Sequence, residues 1–75
     1  SIGYTVPAAS HVNISVYNVA GQRTATLVDE TKSPGTYTAE WDGTSDANTT
    51  VASGVYVYRI QADSYSESKK MVLLK

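Results

Sequence analysis

The sequence contains no cysteine, which removes disulfide bonds and thiolate metal sites from consideration. It also lacks an apolar run close to the roughly 20 residues that a membrane-spanning helix requires. Positive charge is scarce, with six Lys and Arg residues against seven Asp and Glu residues. A formal net charge of −1 provides no basic field to attract a phosphate backbone, so we expect no nucleic-acid partner.

The length allows one domain at most, and we assign residues 1–75 to a single, monomeric unit. The chain opens with a strand-like segment rather than with methionine, which predicts that it is a piece of a longer protein. A domain of this size buries only about 60% of its unfolded surface. We therefore expect a modest free energy of unfolding, about 5 kcal/mol.

The clearest structural signal is the period-two alternation over residues 54–62, which predicts a β-strand. The face that we assign to the core carries Tyr56, Tyr58, Ile60 and Ala62. Val55 and Val57 on the opposite face predict that the start of this strand is covered on both sides.

Five further segments have strand-like patterns, at residues 2–6, 12–17, 22–28, 37–41 and 65–74. Turn signals separate them, including a hairpin turn at Asn18–Gly21 in which Gly21 is free to adopt positive φ. Short strands at regular spacing predict an all-β fold, a small antiparallel Ig-like or fibronectin-like β-sandwich of six or seven strands. We expect one core, formed by Ile14, Val16, Trp41, Tyr56, Tyr58 and Ile60.

No residue pattern builds a catalytic centre, and we expect no enzymatic activity. His11 is the only histidine, the chain has no cysteine, and no Gly-x-Ser-x-Gly elbow is present, so we interpret His11 as a surface residue. The spacing of the carboxylates selects no pair for glycoside hydrolysis, and we interpret them as solvated charges. These carboxylates are Glu40, Asp42, Asp63 and Glu67.

Oxygen-bearing side chains occupy every second position from Asp42 to Asn48, which resembles the first half of a calcium loop. However, the glycine stands at the second position instead of the sixth, and no glutamate stands at the twelfth. A polar turn, in which Asp and Asn bond to nearby backbone, is the favoured interpretation. We therefore expect no required metal or other cofactor, with weak calcium binding at this loop left open.

Aromatic residues provide an alternative function, because six tyrosines and one tryptophan would suffice for a sugar-stacking strip. Most of them lie on apolar faces of the predicted strands, which favours a role in the core; Tyr17 and Tyr65 are the candidates for exposure. An accessory polysaccharide-binding or spacer module of an extracellular glycoside hydrolase therefore remains the alternative.

Three lysines flank the apolar segment Met71–Leu74 near the end of the chain: Lys69, Lys70 and Lys75. In a strand, Met71 and Leu73 lie on one face while Val72 and Leu74 lie on the other, and one pair should pack inward. Lysines beside an apolar strand protect a sheet edge from pairing. An exposed apolar pair beside lysines is also typical of a surface that binds a partner.

Four stretches, at residues 14–22, 35–44, 51–60 and 69–75, together carry a family resemblance. The set, with its hairpin, Trp-Asp-Gly and Ser-Gly-Val-Tyr elements, resembles the C-terminal sorting domains of proteins exported by the type IX secretion system. It is also similar to the Ig-like domain of flagellar hook-capping proteins, which belongs to the same wider group. The Asn-Pro-rich segment that usually precedes the first strand is missing, and the ending Lys-Met-Val-Leu-Leu-Lys favours the sorting domain.

The resemblance implies a non-catalytic C-terminal module for secretion, sorting and cell-surface anchoring of an exported bacterial protein. It implies a cargo domain on the N-terminal side in the same chain, recognition by outer-membrane secretion machinery, and a secreted or cell-surface location. The family's pattern implies that the last residues form the sorting signal that the secretion machinery recognises, and we call this signal the address. It would consist of Lys69, Lys70, Met71, Val72, Leu73, Leu74 and Lys75.

Overall fold

The computed structural model of the chain describes residues 2–63 and 65–74, without the side chain of Tyr65. Its strands are β1 (Ile2–Val6), β2 (Ser10–Tyr17), β3 (Arg23–Lys32), β4 (Gly35–Ala39), β5 (Gly54–Ala62) and β6 (Tyr65–Leu73). Every strand pair is antiparallel, which confirms the predicted all-β sandwich. Within the described residues, no helix has the length and apolar character needed to cross a bilayer.

The six strands form two sheets that pack face to face. β1 pairs with β4 in a small sheet, and the larger sheet has the strand order β3-β2-β5-β6. Tyr4 and Tyr37 lie opposite each other in the small sheet and stack with ring centroids 5.5 Å apart. Because two strands cannot cover four, the small sheet packs on only part of one face of the larger sheet. We call that face the inner face and the opposite one the outer face.

The interior consists of two clusters rather than the single core expected from the sequence. The larger cluster lies between the two sheets and contains Ile2, Tyr4, Val6, Val12, Ile14, Ala39 and Ile60. The smaller cluster contains Val16, Ala25 and Tyr56, with Trp41, Val51, Met71 and Leu73 packed against it. Leu27 and Tyr58 contact both clusters.

The expectation of one core is therefore wrong, because the expected residues divide between the clusters. Ile14 and Ile60 lie in the larger cluster, whereas Val16 and Tyr56 lie in the smaller one. Trp41 is only half-buried and follows β4 instead of belonging to it. The small sheet takes part only in the larger cluster, since none of the residues of the smaller cluster belongs to β1 or β4.

The predicted strand limits agree best with the structure where apolar and polar side chains alternate most strictly. β5 has the predicted limits of 54–62. β3 is longer than predicted and continues to Lys32, because its polar residues pair with the start of β2. The expected coverage of β5 on both sides is wrong, since Val55 is 40% exposed on the outer face. The β2–β3 hairpin has the predicted turn, with Gly21 at φ 80°.

Candidate recognition site on the C-terminal strand

β6 forms one edge of the larger sheet and supplies most of the predicted address residues. It pairs with β5 through nine consecutive residue pairs, from Gly54 opposite Leu73 to Ala62 opposite Tyr65, without a shift in register. The other edge strand, β3, has two register shifts against β2. An edge strand without a bulge presents a regular row of backbone donors and acceptors. β6 is therefore the more regular of the two free edges of this sheet.

The apolar end of β6 divides its side chains between the two faces of the sheet. Met71 and Leu73 are half-buried and pack against the smaller cluster on the inner face. Val72 is 63% exposed and Leu74, just beyond the strand, is 83% exposed. This is the predicted arrangement, in which one pair packs inward and the other forms an exposed apolar surface.

The two described lysines of the predicted address lie on opposite faces of the sheet. Lys69 stands opposite Tyr58 on the inner face, and its Nζ lies 3.2 Å from Oε1 of Glu67. The hydrogen bond to Glu67 raises the pKa of Lys69 above its ordinary value. Lys70 stands opposite Val57 on the outer face, which it shares with Val72. Lys75, the third lysine, lies outside the described residues.

An open groove of about 430 Å³ runs along the inner side of β6, where the small sheet no longer covers the larger one. Its walls include Ile2 from β1, Trp41 from the loop after β4, and Met71 and Leu73 from β6. These side chains are mainly apolar, and the groove contains no cluster of titratable residues. Its composition is suited to packing an apolar side chain and not to acid–base chemistry.

The loop after β4 has the geometry of a polar turn, as its sequence indicated. Oδ1 of Asp42 accepts hydrogen bonds from the backbone N–H of Thr44 at 3.1 Å and from its hydroxyl at 2.6 Å. The hydroxyl bond is the main cause of a lowered pKa for Asp42. Oδ1 of Asp46 accepts from the backbone N–H of Thr26 at 2.9 Å, which fastens the loop to β3. Both carboxylates thus use protein donors, and the described residues include no group of three or more potential metal ligands of the His, Cys, Asp or Glu types.

The aromatic side chains on the inner faces take part in packing. Trp41 meets the ring of Tyr56 edge-on with centroids 5.0 Å apart, and its Nε1–H donates to the carbonyl of Thr44 at 2.9 Å. The Tyr56 hydroxyl donates to the carbonyl of Ala52 at 2.7 Å. Tyr17 is half-buried on the outer face, and the side chain of Tyr65 lies outside the described part of the structure.

His11 lies on the exposed surface near the start of β2, as predicted. Its Nε2 is 2.6 Å from Oδ1 of Asp29 on the neighbouring strand, and this hydrogen bond lowers the pKa of Asp29. Both side chains are more than half exposed. Because His11 stands opposite Thr31 and Asp29 lies two residues along the same strand, the pair has the geometry of a diagonal cross-strand surface contact.

The family model described as the FlgD Ig-like domain matches residues 1–66. This range covers well over half of the chain and includes β1 to β5. The chain belongs to the FlgD Ig-like domain family. No curated protein and no solved structure shows significant similarity to it.

The match to the FlgD Ig-like domain ends two residues into β6. Residues 67–75, which contain all of the predicted address residues, therefore lie outside the matched range. The family resemblance to the Ig-like domain of hook-capping proteins is confirmed over residues 1–66, which include β1 to β5.

The sequence prediction missed the outer-face neighbours of β6. Val55 lies directly opposite Val72, and Val57 lies opposite Lys70. The alternation of β5 placed both valines on the face opposite the core, but they were assigned to a covered surface. The outer face also carries Lys70, Arg59 and Gln61, and these polar side chains indicate that it is exposed to solvent.

Proposed function

We propose that this FlgD Ig-like domain is a non-catalytic C-terminal module for secretion, sorting and cell-surface anchoring of an exported bacterial protein, read by the type IX secretion system. Its partners are outer-membrane secretion machinery and a cargo domain on the N-terminal side in the same chain. The observation that carries the proposal is the exposure of Val72 beside Lys70 on a regular edge strand, together with the exposure of Leu74 directly after that strand.

The packing of β6 supports a recognition role for its outward side chains. Met71 and Leu73 already attach the strand to the smaller cluster, together with a continuous ladder to β5. Side chains that are 63% and 83% exposed bury little apolar area and add little to the free energy of unfolding. Large apolar residues on a strand edge also carry an aggregation risk that proteins usually avoid. Binding to a partner explains why valine and leucine occupy these two positions.

A fusion of residues 1–75 to the C-terminus of a reporter enzyme tests the proposal in a host that has the type IX secretion system. We expect the reporter to reach the cell surface or the medium, and to remain inside in the same host without the outer-membrane translocon. The reporter without the domain is the control. Retention of the fusion in the periplasm of the competent host, with the domain folded, would contradict the proposal.

Polysaccharide binding is the alternative, and the position of the aromatic side chains weighs against it. Sugar stacking requires an exposed aromatic face, whereas Tyr4 and Tyr56 are buried and Trp41 packs its ring on Tyr56. Affinity electrophoresis in gels containing polysaccharide separates the two functions. We expect the mobility of the domain to be the same with and without polysaccharide, and retardation in the gel would favour the alternative.

A further inference from the structure

Four large apolar side chains are exposed within the described residues, and two of them share the outer face on neighbouring strands. The four are Val19, Val55, Val72 and Leu74. Val55 and Val72 are directly opposite each other on β5 and β6, which brings their Cβ atoms to about 5 Å. Leu74 follows Val72 by two residues, and Val19 belongs to the turn between β2 and β3. Residues distant in sequence therefore contribute to one surface.

Two half-buried residues connect these exposed side chains. Tyr17 of β2 stands directly opposite Val57 of β5, and Val57 is two residues from Val55 on the same face. A shallow groove of about 410 Å³ is lined by Tyr17, Val19, Val57 and Arg59 among others. We call the surface formed by Tyr17, Val19, Val55, Val57 and Val72 the outer patch. Val72 and Leu74 also line the groove on the inner side of β6.

The charges next to the outer patch are positive. Arg59 follows Val57 on the same face of β5 and lines the groove, and Lys70 stands opposite Val57 on β6. Acidic side chains of the neighbouring strands lie elsewhere. Asp29 is at the other end of the outer face, where it bonds to His11, and Glu67 stands opposite Ile60 on the inner face. The patch thus has an apolar centre with cations at its border.

We propose that the outer patch is a docking surface for a partner protein whose complementary surface is apolar at its centre and acidic at its rim. This inference rests on the proposed function. It adds which surface of the domain binds the secretion machinery and which chemical groups the partner's surface must have. Complementary charge steers such an encounter and suppresses wrong partners. The docking surface extends beyond the C-terminal segment, since it includes side chains from β2, β5 and the β2–β3 turn.

The charges distinguish this partner from a second copy of the chain. A two-fold interface places the same patch on both sides, so the second copy offers no acidic side chain of the patch to Arg59 or Lys70. Complementary charge across the interface is what favours one partner over another. An acidic partner instead neutralises both cations, and only the hetero-complex gains from every feature of the patch.

Site-specific photo-cross-linking in the secreting host tests the docking surface with the complete reporter fusion. A benzophenone amino acid replaces Val55 in the patch, and in a matched control it replaces Thr38, which is exposed on the small sheet. We expect an adduct with an outer-membrane protein from position 55 and none from position 38. Thermal melting of the purified domains verifies that both replacements leave the fold intact.

Charge reversal tests the acidic rim on the same strand and the same face. Arg59→Glu should reduce the adduct from position 55 by about tenfold or more, because a carboxylate then faces the acidic rim. Gln61→Glu is the control, since it places a carboxylate two residues further along β5, toward the end of the face that carries Asp29. We expect it to leave the adduct within about twofold of the starting fusion.

Five outcomes would overturn the inference. A fusion that reaches the surface without an adduct from position 55, or with an adduct insensitive to Arg59→Glu, leaves the proposed function intact and refutes the docking surface. A fusion that is never exported refutes both. Dimers in sedimentation equilibrium that disappear with Val55→Thr would assign the patch to a second copy. Binding to phosphatidylglycerol vesicles, lost with the same variant, would assign it to a membrane.

Discussion

Replacement of Trp41 by alanine tests how the smaller cluster is held together. The indole packs on that cluster, meets Tyr56 edge-on at 5.0 Å, and donates to the carbonyl of Thr44 at 2.9 Å. Full burial of a large apolar side chain stabilises a fold by about 3 kcal/mol, and a half-buried ring contributes roughly half of that. The aromatic pair adds about 1 kcal/mol and the hydrogen bond roughly 0.5 kcal/mol. We expect Trp41→Ala to cost about 2–3 kcal/mol.

This cost is large relative to a total stability of about 5 kcal/mol, yet it leaves the domain folded at 25 °C. The melting temperature should fall by about 10–20 °C, given the usual 4–8 °C per kcal/mol for a domain of this size. Urea unfolding should be followed by far-UV circular dichroism, because Trp41 is the only tryptophan and its fluorescence is lost in the variant.

Trp41→Phe is the matched control for the ring contact. Phenylalanine keeps an aromatic edge against Tyr56 but cannot donate to Thr44, so we expect a loss of about 1 kcal/mol. The reasoning is refuted if Trp41→Ala melts within about 2 °C of the starting protein. It is also refuted if the two variants lose equal stability, because the ring would then contribute nothing.

Three further predictions concern the core, the exposed edge and the loop after β4. Ile14 has no exposed surface, and Ile14→Ala should lower the free energy of unfolding in urea by about 2–5 kcal/mol. Val72 is mostly exposed, and Val72→Thr should change that free energy by no more than about 0.5 kcal/mol. The opposite ranking of the two variants would contradict the assigned faces. Hydrogen bonds from Thr44 lower the pKa of Asp42 below 3.8, so this carboxylate stabilises the fold above that pH and loses its contribution as pH falls through the folded-state pKa. Asp42→Ala should therefore weaken the decline of melting temperature between about pH 5 and pH 2, and an unchanged decline would contradict this role. Micromolar calcium should leave the melting temperature as it is with chelator, whereas a rise of several degrees would assign the loop at 42–48 to calcium binding.

The period-two pattern predicted the strands because it reports directly on which side chains are buried. β5 satisfies it over nine residues, and its limits agree with the structure. The predicted third strand stops at residue 28, yet the polar residues 29–32 extend β3 to Lys32. At an edge of a sheet, a strand can carry polar side chains on both faces, since one side is open to solvent. Residue composition alone therefore predicts edge strands to be shorter than they are.

The division of the core and the outer patch depend on strand order and register, which the sequence does not specify. The alternation separated Val55 and Val57 from the core face correctly. Whether a second layer covers them depends on which face of the larger sheet the small sheet packs against, and it packs against the inner face, where its side chains join the larger cluster. The opposing positions of Lys69 and Lys70, by contrast, follow from alternation alone once β6 is a strand. The strand ladder adds which residue each lysine faces.

The central claim is that the exposed side chains of the C-terminal segment, the lysines included, act as a recognition signal without supporting the fold. Replacement of Lys69, Lys70 and Lys75 by glutamine tests it most directly, with surface localisation of the reporter fusion and thermal melting measured on the same protein. The contact of Lys69 with Glu67 is exposed and screened by solvent, so its loss should change the stability little. We predict loss of surface localisation at an essentially unchanged melting temperature. Normal localisation of the triple variant would contradict the claim and leave the lysines with the protection of the sheet edge as their only role.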